Sequence, residues 1–382
     1  MSISTLTAFS DATVFTGETF VEGCSLLVQN GKVLDIVMDG KTPVDAEKRS
    51  FAGKIIAPGF IDCQVNGGGG VLFNETPTAG AVLAIAKAHR KYGTTRILPT
   101  CISDSIDVMR KALPAVREAG KTDASVLGIH FEGPHISKEK RGCHIAEMLR
   151  PISRDELELY APLADEVMLI TVAPECVSLD NIGAIKAKGV IISLGHSMAS
   201  SEQTRAALTA GATGFTHLFN AMVNPGTRAP GIAGCALDNQ SSWCGIITDG
   251  HHVSDEMIRI AYKAKPQGKL FLVSDAMPPS ASEGVLSFRF HGEEIKVKDG
   301  RCINRNGQLA GSSITISDAV RYCIDKVGIE PMEALRMASA YPAAFLGLDQ
   351  KLGRLLPGYE ADMVVLGTDY RPEGAFVGGV AS

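Results

Sequence analysis

The chain has no cysteines at CxxC spacing. Nine cysteines lie scattered from Cys24 to Cys323. Neither a zinc ribbon nor a redox motif is read, and reduced, mostly buried thiols fit a cytoplasmic protein. There is no surplus of positive charge either. Lys plus Arg total 37 against 42 for Asp plus Glu, a net charge of −5, which speaks against a protein that neutralises a nucleic-acid backbone. No apolar run approaches the roughly 20 residues that a membrane helix needs. The opening MSISTLTAFSDATVF has no basic n-region and no apolar h-region, so no secretory signal is expected. The charged share of 21% is too small for a disordered or coiled-coil chain. No internal repeat or low-complexity tract appears.

What is present is ample apolar material. Of 382 residues 45% are apolar, enough for a large core, and 40 glycines imply many tight turns. The first 57 residues read as β. Ala12–Phe15, Cys24–Gln29 and Val33–Met38 are short and β-rich, broken by Asn30-Gly31 and Asp39-Gly40. Asn-Gly between apolar runs is a hairpin signal. From Ile55 onward, eight apolar runs alternate with helical stretches. The runs are Gly59–Val65, Thr95–Thr100, Val126–Phe131, Val167–Val172, Gly189–Leu194, Gly214–Leu218, Cys244–Thr248 and Leu270–Val273. Helical periods fall at Ala79–Tyr92, Ser105–Ala119, Ser178–Lys188, Ser201–Ala210 and Asp255–Lys265. Ser105, Ser178 and Ser201 read as N-terminal caps, and Gly93, Gly189 and Gly211 as glycines just past helix ends. Eight strand–helix units in about 300 residues predict an α/β fold, a (β/α)8 barrel rather than an open sheet. No GxGxxG follows the first of these strands, which weakens the dinucleotide alternative. Val285–Arg301 reads as an inserted hairpin, followed by helices at Ser317–Val327 and Pro331–Leu346 and a tail strand in LPGYEADMVVLG. Residues 1–56 and 356–382 are expected to form one small β-sandwich domain from both ends of the chain, flanking a barrel of residues 57–355.

Barrel chemistry gathers where strands finish. The eight runs end IDCQVNG, LPT, GIHFEGPH, TVAPE, SLGHS, FTHLFNAM, IITDGHH and VSDAM. Glu132, His196 and His217 are carboxylate and imidazole at three of these ends, a donor set that suits zinc with one position left for water. Asp275, at a fourth end, is placed to move that water's proton. Each has a plainer reading alone: a hydrogen-bonded structural histidine, or a helix cap at Asp275. Their coincidence at strand ends favours the metal site. His251-His252 reads as a binding pair or a solvated one. Glu175 reads as structural, His89 as a surface residue of its helix, and His291 as a structural residue of the hairpin. Lys138, Lys140 and Arg141 read as a solvated basic loop.

These motifs are also familiar. APGFID (57–62), HFEGPH (130–135), GHS (195–197), THLFNAM (216–222), DGHHV (249–253), SDAM (274–277), LAGS (309–312) and the closing PGYEADMVVL resemble the amidohydrolase superfamily. Within it they are similar to the N-acetylglucosamine-6-phosphate deacetylases. The likeness covers the chain from about Gly31 onward. It implies hydrolysis of the acetamide of a phosphorylated N-acetyl amino sugar. It also implies Glu132, His196 and His217 as metal ligands, Asp275 as acid/base, and His144 in RGCH polarising the acetyl carbonyl. Cys143, Asn220, Ala221, Leu309, Ala310 and Gly311 would line the sugar, and Arg228 and His252 would hold the phosphate. In such relatives phosphate contacts cross a homodimer interface.

One departure bears on the metal count. Most of the superfamily carries His-x-His at the end of strand one, where a second metal binds. Here the place reads Gln64-Val65-Asn66. Amides are weak ligands beside imidazoles, so one divalent ion per chain, Zn2+, is expected. Three rival readings stand. One is the same reaction on N-acetylgalactosamine 6-phosphate. Another is a cyclic-amide hydrolase or deaminase, against which the missing His-x-His and the absence of a lysine in TVAPE count. The third is a barrel that has lost its chemistry and serves as a scaffold.

Overall fold

The computed structural model describes residues 5–38 and 40–381. Asp39 of the expected Asp39-Gly40 break lies outside them. So do residues 1–4 and 382 at the outer limits of the expected terminal domain, the first four also opening the stretch read for a signal.

The eight apolar runs form eight parallel strands: β1 (Phe60–Val65), β2 (Thr94–Ile102), β3 (Gly128–Glu132), β4 (Val167–Val172), β5 (Ile191–Leu194), β6 (Gly214–Phe215), β7 (Trp243–Ile246) and β8 (Leu270–Leu272). Each pairs with the next in chain order. A parallel bridge between Val65 and Ala276 closes the ring. The N–H groups of Asn66 and Gly67 both donate to the Ala276 carbonyl at 2.9 Å. The strands are mostly apolar because helices cover the outside while side chains fill the inside. Every residue of β3 and β4 is buried.

The interior carries one polar belt. His130 sits between Thr100 Oγ1 (3.2 Å) and Thr171 Oγ1 (2.8 Å), and hydroxyls continue to Thr216 and Ser193. Fully satisfied, such a belt rigidifies the barrel under its upper rim. Burial depresses His130 to about 4, so the ring is neutral.

The covering helices begin where short hydroxyl residues accept the free N–H groups of the first turn. Ser105 caps Ile106–Thr122 and Ser178 caps Leu179–Lys186. For Ser201–Ala210 the cap is Ser200, with a reciprocal Gln203 bond, and the expected Ser201 is the first helical residue. Gly93, Gly189 and Gly211 all have positive φ. The single helix expected over Pro331–Leu346 is two, Pro331–Ala338 and Ala340–Phe345, parted at Ser339. Pro342 has no N–H to give to Ala338 and its ring crowds that carbonyl. A short helix at Arg154–Leu159 went unread, although its Ser153–Glu156 capping box is visible in the sequence. The helix at Gly231–Asp238 went unread as well.

Both ends of the chain share one sheet. Ile55–Pro58 pairs with the tail strand Met363–Leu366 on one side and with Thr13–Val14 on the other. Phe9 and Phe376 stand three strands apart in the sheet order, yet their rings lie 5.0 Å apart. The sheet is therefore folded onto itself around its own core, including Phe9, Val14, Leu26, Ile56 and Met363. Asn30 and Gly31 both adopt positive φ between paired Gln29 and Lys32, the turn that Asn-Gly favours.

The expected hairpin is larger than read. It is a four-stranded antiparallel sheet of Ser287–Phe290, Glu293–Lys298, Arg301–Ile303 and Leu309–Ser312. Leu309–Gly311, expected to line the sugar, is thus part of a strand. Its end is tied to the barrel: Ser312 N–H donates to Asp275 O, and Met277 N–H to Ser312 O.

Candidate metal centre and catalytic cavity

Glu132 ends β3. His196 and His217 stand two residues beyond β5 and β6, and Asp275 three beyond β8. At the last three the backbone turns left-handed, with φ of +48°, +33° and +52°. Such conformations cost about 1–3 kcal/mol each for ordinary residues and persist only where surrounding structure enforces them. Here they turn side chains from the strand direction into the mouth of the barrel.

His196 Nε2 and His217 Nε2 lie 3.0 and 2.9 Å from Glu132 Oε1, and 2.9 Å from each other. All three residues are buried, and their ligand atoms lie within 4.8 Å of one another. His196 Nδ1 is 2.8 Å from the Lys140 carbonyl. That acceptor keeps the proton on Nδ1 and turns the Nε2 lone pair to the cluster. His217 Nδ1 finds no partner among the described residues. Lone pairs from two imidazoles and a carboxylate converging in a buried space suit a divalent cation.

Asp275 faces this cluster. Burial, then the nearby Glu132 charge, raise it to about 6. Its Oδ1 accepts from Asn66 Nδ2 at 2.7 Å and Gln64 Nε2 at 3.1 Å, and the same Gln64 nitrogen donates to Glu132 Oε1 at 3.0 Å. His144 packs against His196 with ring centroids 4.6 Å apart. Burial, then His196, depress it to about 3, so it is neutral. Its Nδ1 meets the Ser103 backbone N–H at 3.4 Å and Ser103 Oγ at 2.7 Å. A backbone N–H can only donate, so Nδ1 accepts and the proton belongs on Nε2. His252 is pinned by Asp249, whose Oδ2 lies 2.7 Å from Nδ1 and whose Oδ1 accepts the N–H of His251 and His252.

One cavity of about 130 Å³ is lined by Glu132, Cys143, His144, His196, His217, Asn220, Ala221, His252, Asp275, Leu309 and Gly311, with Asn66, Ile102, Gly142 and Met277. It is smaller than the roughly 300–1,000 Å³ of sites that engulf a whole ligand, so it suits the reacting end of one. Two expected positions are not brought to the lining. The Ala310 side chain turns away into the core of the inserted sheet with Phe290, Ile295 and Cys302. Arg228 lies exposed.

Sequence reading missed Ser103 and Asp249. Asp249 left a signal, three residues before His252, whereas Ser103 lies 41 residues from His144 and left none. His89, expected at the surface, is fully buried with Nε2 2.9 Å from the Gly67 carbonyl. Its helix turns that face to the barrel mouth rather than to solvent. His291 stands 3.2 Å from Asp104, tying the inserted sheet to the barrel. Glu175 accepts from Ser197 Oγ and Met198 N–H, fixing the turn after His196. Lys138 and Arg141 are exposed.

The amidohydrolase family model matches residues 55–381. An N-acetylgalactosamine-6-phosphate deacetylase of a Shewanella species is 40% identical over 373 residues, 96% of this chain and 94% of that protein. An N-acetylglucosamine-6-phosphate deacetylase of Rattus norvegicus is 37% identical over 390 residues, covering 97% and 94%. The crystal structure of N-acetylglucosamine-6-phosphate deacetylase from Pasteurella multocida superposes with a TM-score of 0.94 at 36% identity, covering 99% of each chain.

Proposed function

The chain belongs to the amidohydrolase family, and from that premise we propose that it hydrolyses the acetamide of N-acetyl-D-glucosamine 6-phosphate to D-glucosamine 6-phosphate and acetate. The observation that carries this reading is the buried Glu132–His196–His217 cluster facing Asp275 and His144 in one cavity. In this reading the cluster holds one divalent ion per chain, Zn2+. Bound there, the ion supplies Lewis acidity and a water acidified towards neutral pH.

The chain's own groups do the rest. Asp275 takes the water's proton and later returns it to the departing amine, which needs a carboxyl poised near working pH. His144 is neutral and protonated on Nε2, so it donates to the acetyl carbonyl as negative charge grows there. Gly311 and Leu309 line the same cavity. No Lys or Arg lines the cavity among the described residues, yet the substrate carries a phosphate dianion. His252 and Arg228 are assigned to it, with Arg228 supplied by the partner subunit of a homodimer. Arginine's planar fork fits phosphate. We place the enzyme in the cytoplasm, in amino-sugar breakdown.

The galactosamine epimer is a second reading, favoured by the name of the 40%-identical Shewanella relative. A panel of phosphorylated and free N-acetylglucosamine, N-acetylgalactosamine and N-acetylmannosamine, assayed for free amine with metal counted on the same sample, decides between them. Fastest turnover of the phosphorylated gluco sugar at one ion per chain is the expected result. Preference for the galacto sugar selects the second reading. Complete inactivity with added metal revives the scaffold.

A further inference from the structure

We infer that Gln64 and Asn66 are positioning residues that hold the Asp275 carboxylate in line for proton transfer, doing with hydrogen bonds what a second cation would do by charge. The inference rests on the deacetylase reading above and deepens it.

Gln64 lies near the end of β1 and Asn66 one residue past it; they sit two apart, so both side chains leave on the same side. Both are buried, at 2% and 1% exposure. The Asn66 amide nitrogen is 2.7 Å from Asp275 Oδ1 and the Gln64 nitrogen 3.1 Å from the same atom. An amide NH2 has two hydrogens. Gln64 spends its second on Glu132 Oε1 at 3.0 Å, so one side chain joins the proposed base to a proposed metal ligand. The orientation is fixed by chemistry, because an amide oxygen turned to either carboxylate would set two acceptors against each other.

The consequence is an asymmetric carboxylate. Oδ1 of Asp275 is held by two donors, while no hydrogen bond from the described side chains reaches Oδ2, the oxygen left to handle the proton. The support is rigid beyond the amides. Asp62 on the same strand accepts from Ser274 Oγ and from the N–H of Gln64 and Ser274. β1 and the segment after β8 are thereby clamped at the closing seam of the barrel. A carboxylate free to rotate about χ2 would spend part of its time with neither oxygen aligned, and misplacement on the scale of 1 Å costs about 100-fold.

The test compares the wild-type chain with Asn66→Ala, Gln64→Ala and Asn66→Leu, the last close in shape but unable to donate. Each is measured for kcat, KM, thermal midpoint, metal content and the pH profile of kcat/KM on both sugar phosphates. The expected result is a 10- to 100-fold loss in kcat with KM and one ion per chain retained. The acidic limb should move to higher pH, since the ionised base has lost donors that favour it. Activity within twofold of wild type, or an unmoved acidic limb, overturns the inference. Loss of activity in proportion to loss of metal also overturns it, assigning the amides to the metal site instead. A wild type inactive on both sugars fails earlier, at the functional reading, and takes the inference with it.

Discussion

At the scale of single residues, Asp275 carries the most specific expectation. Asp275→Asn keeps shape and hydrogen-bonding reach but cannot take a proton. Turnover should fall roughly 10²- to 10⁴-fold with the metal still bound, measured as amine release beside metal content. Near-normal turnover would remove Asp275 from the mechanism. The pH dependence follows in sign. Asp275 must be ionised to act as base, and burial with the Glu132 charge raises it to about 6. Activity is therefore lost as pH falls through that region, and the positive charge of a bound cation can only move the loss to lower pH. Residue identity was legible here: Glu132, His196, His217 and Asp275 announced themselves as ligand-type groups at strand ends. Their mutual distances were not, since they are scattered over 144 positions of chain.

At the scale of elements, the strand Leu309–Ser312 sets the wall of the cavity through a glycine. Gly311 has φ of +62°, and a Cβ there would stand 2.6 Å from Met277 Cγ and 2.9 Å from Asp275 O. Gly311→Ala must push on the backbone that aims Asp275, so kcat should fall at least about 10-fold in steady-state assays. Unchanged kcat would show that the strand yields without moving the base. The covering helices carry a cheaper test. Ser200 accepts the Gln203 N–H, whereas the Ser201 hydroxyl has no partner among the described residues. Ser200→Ala should cost about 1 kcal/mol in urea unfolding and Ser201→Ala less than about 0.5. The reverse order would restore Ser201 as the cap. The sequence reading took Ser201 as the cap, one residue late, because either hydroxyl suits a cap and only backbone dihedrals separate them. The inserted sheet shows the same limit. Its first two strands alternate legibly, while Leu309–Ser312 is too short to read as a strand without its partner Arg301–Ile303.

At the scale of the whole molecule, two couplings matter. One joins the barrel to the terminal sheet. Arg96 on β2 meets Asp362 beside the tail strand, Nε to Oδ2 2.5 Å, with side chains 9% and 6% exposed, and Asp362 also accepts the Gly378 N–H. Asp362→Ala strands a buried guanidinium and should destabilise by about 3–5 kcal/mol, read from the unfolding midpoint. Asp362→Asn, which keeps an acceptor, should lose less. Equal, small losses would make the pair incidental. The other is the coupling proposed between subunits. Arg228→Ala should raise KM for the phosphorylated sugar and barely alter turnover of the free one. Equal losses on both would make Arg228 structural.

The sequence by itself determined the eight barrel strands, the hairpin at Asn30-Gly31 and the residue types of the Glu132–His196–His217 cluster. Periodicity, turn chemistry and ligand chemistry are local and survive in a linear string. Only the tertiary structure decided which oxygen of Asp275 the Gln64 and Asn66 amides hold and that Ser103 sets the proton on His144. It alone also placed His89 inside and Ala310 facing away. Each of these depends on a contact between distant segments. The first of them follows from closing the barrel at Val65 and Ala276, where segments some 200 residues apart become neighbours.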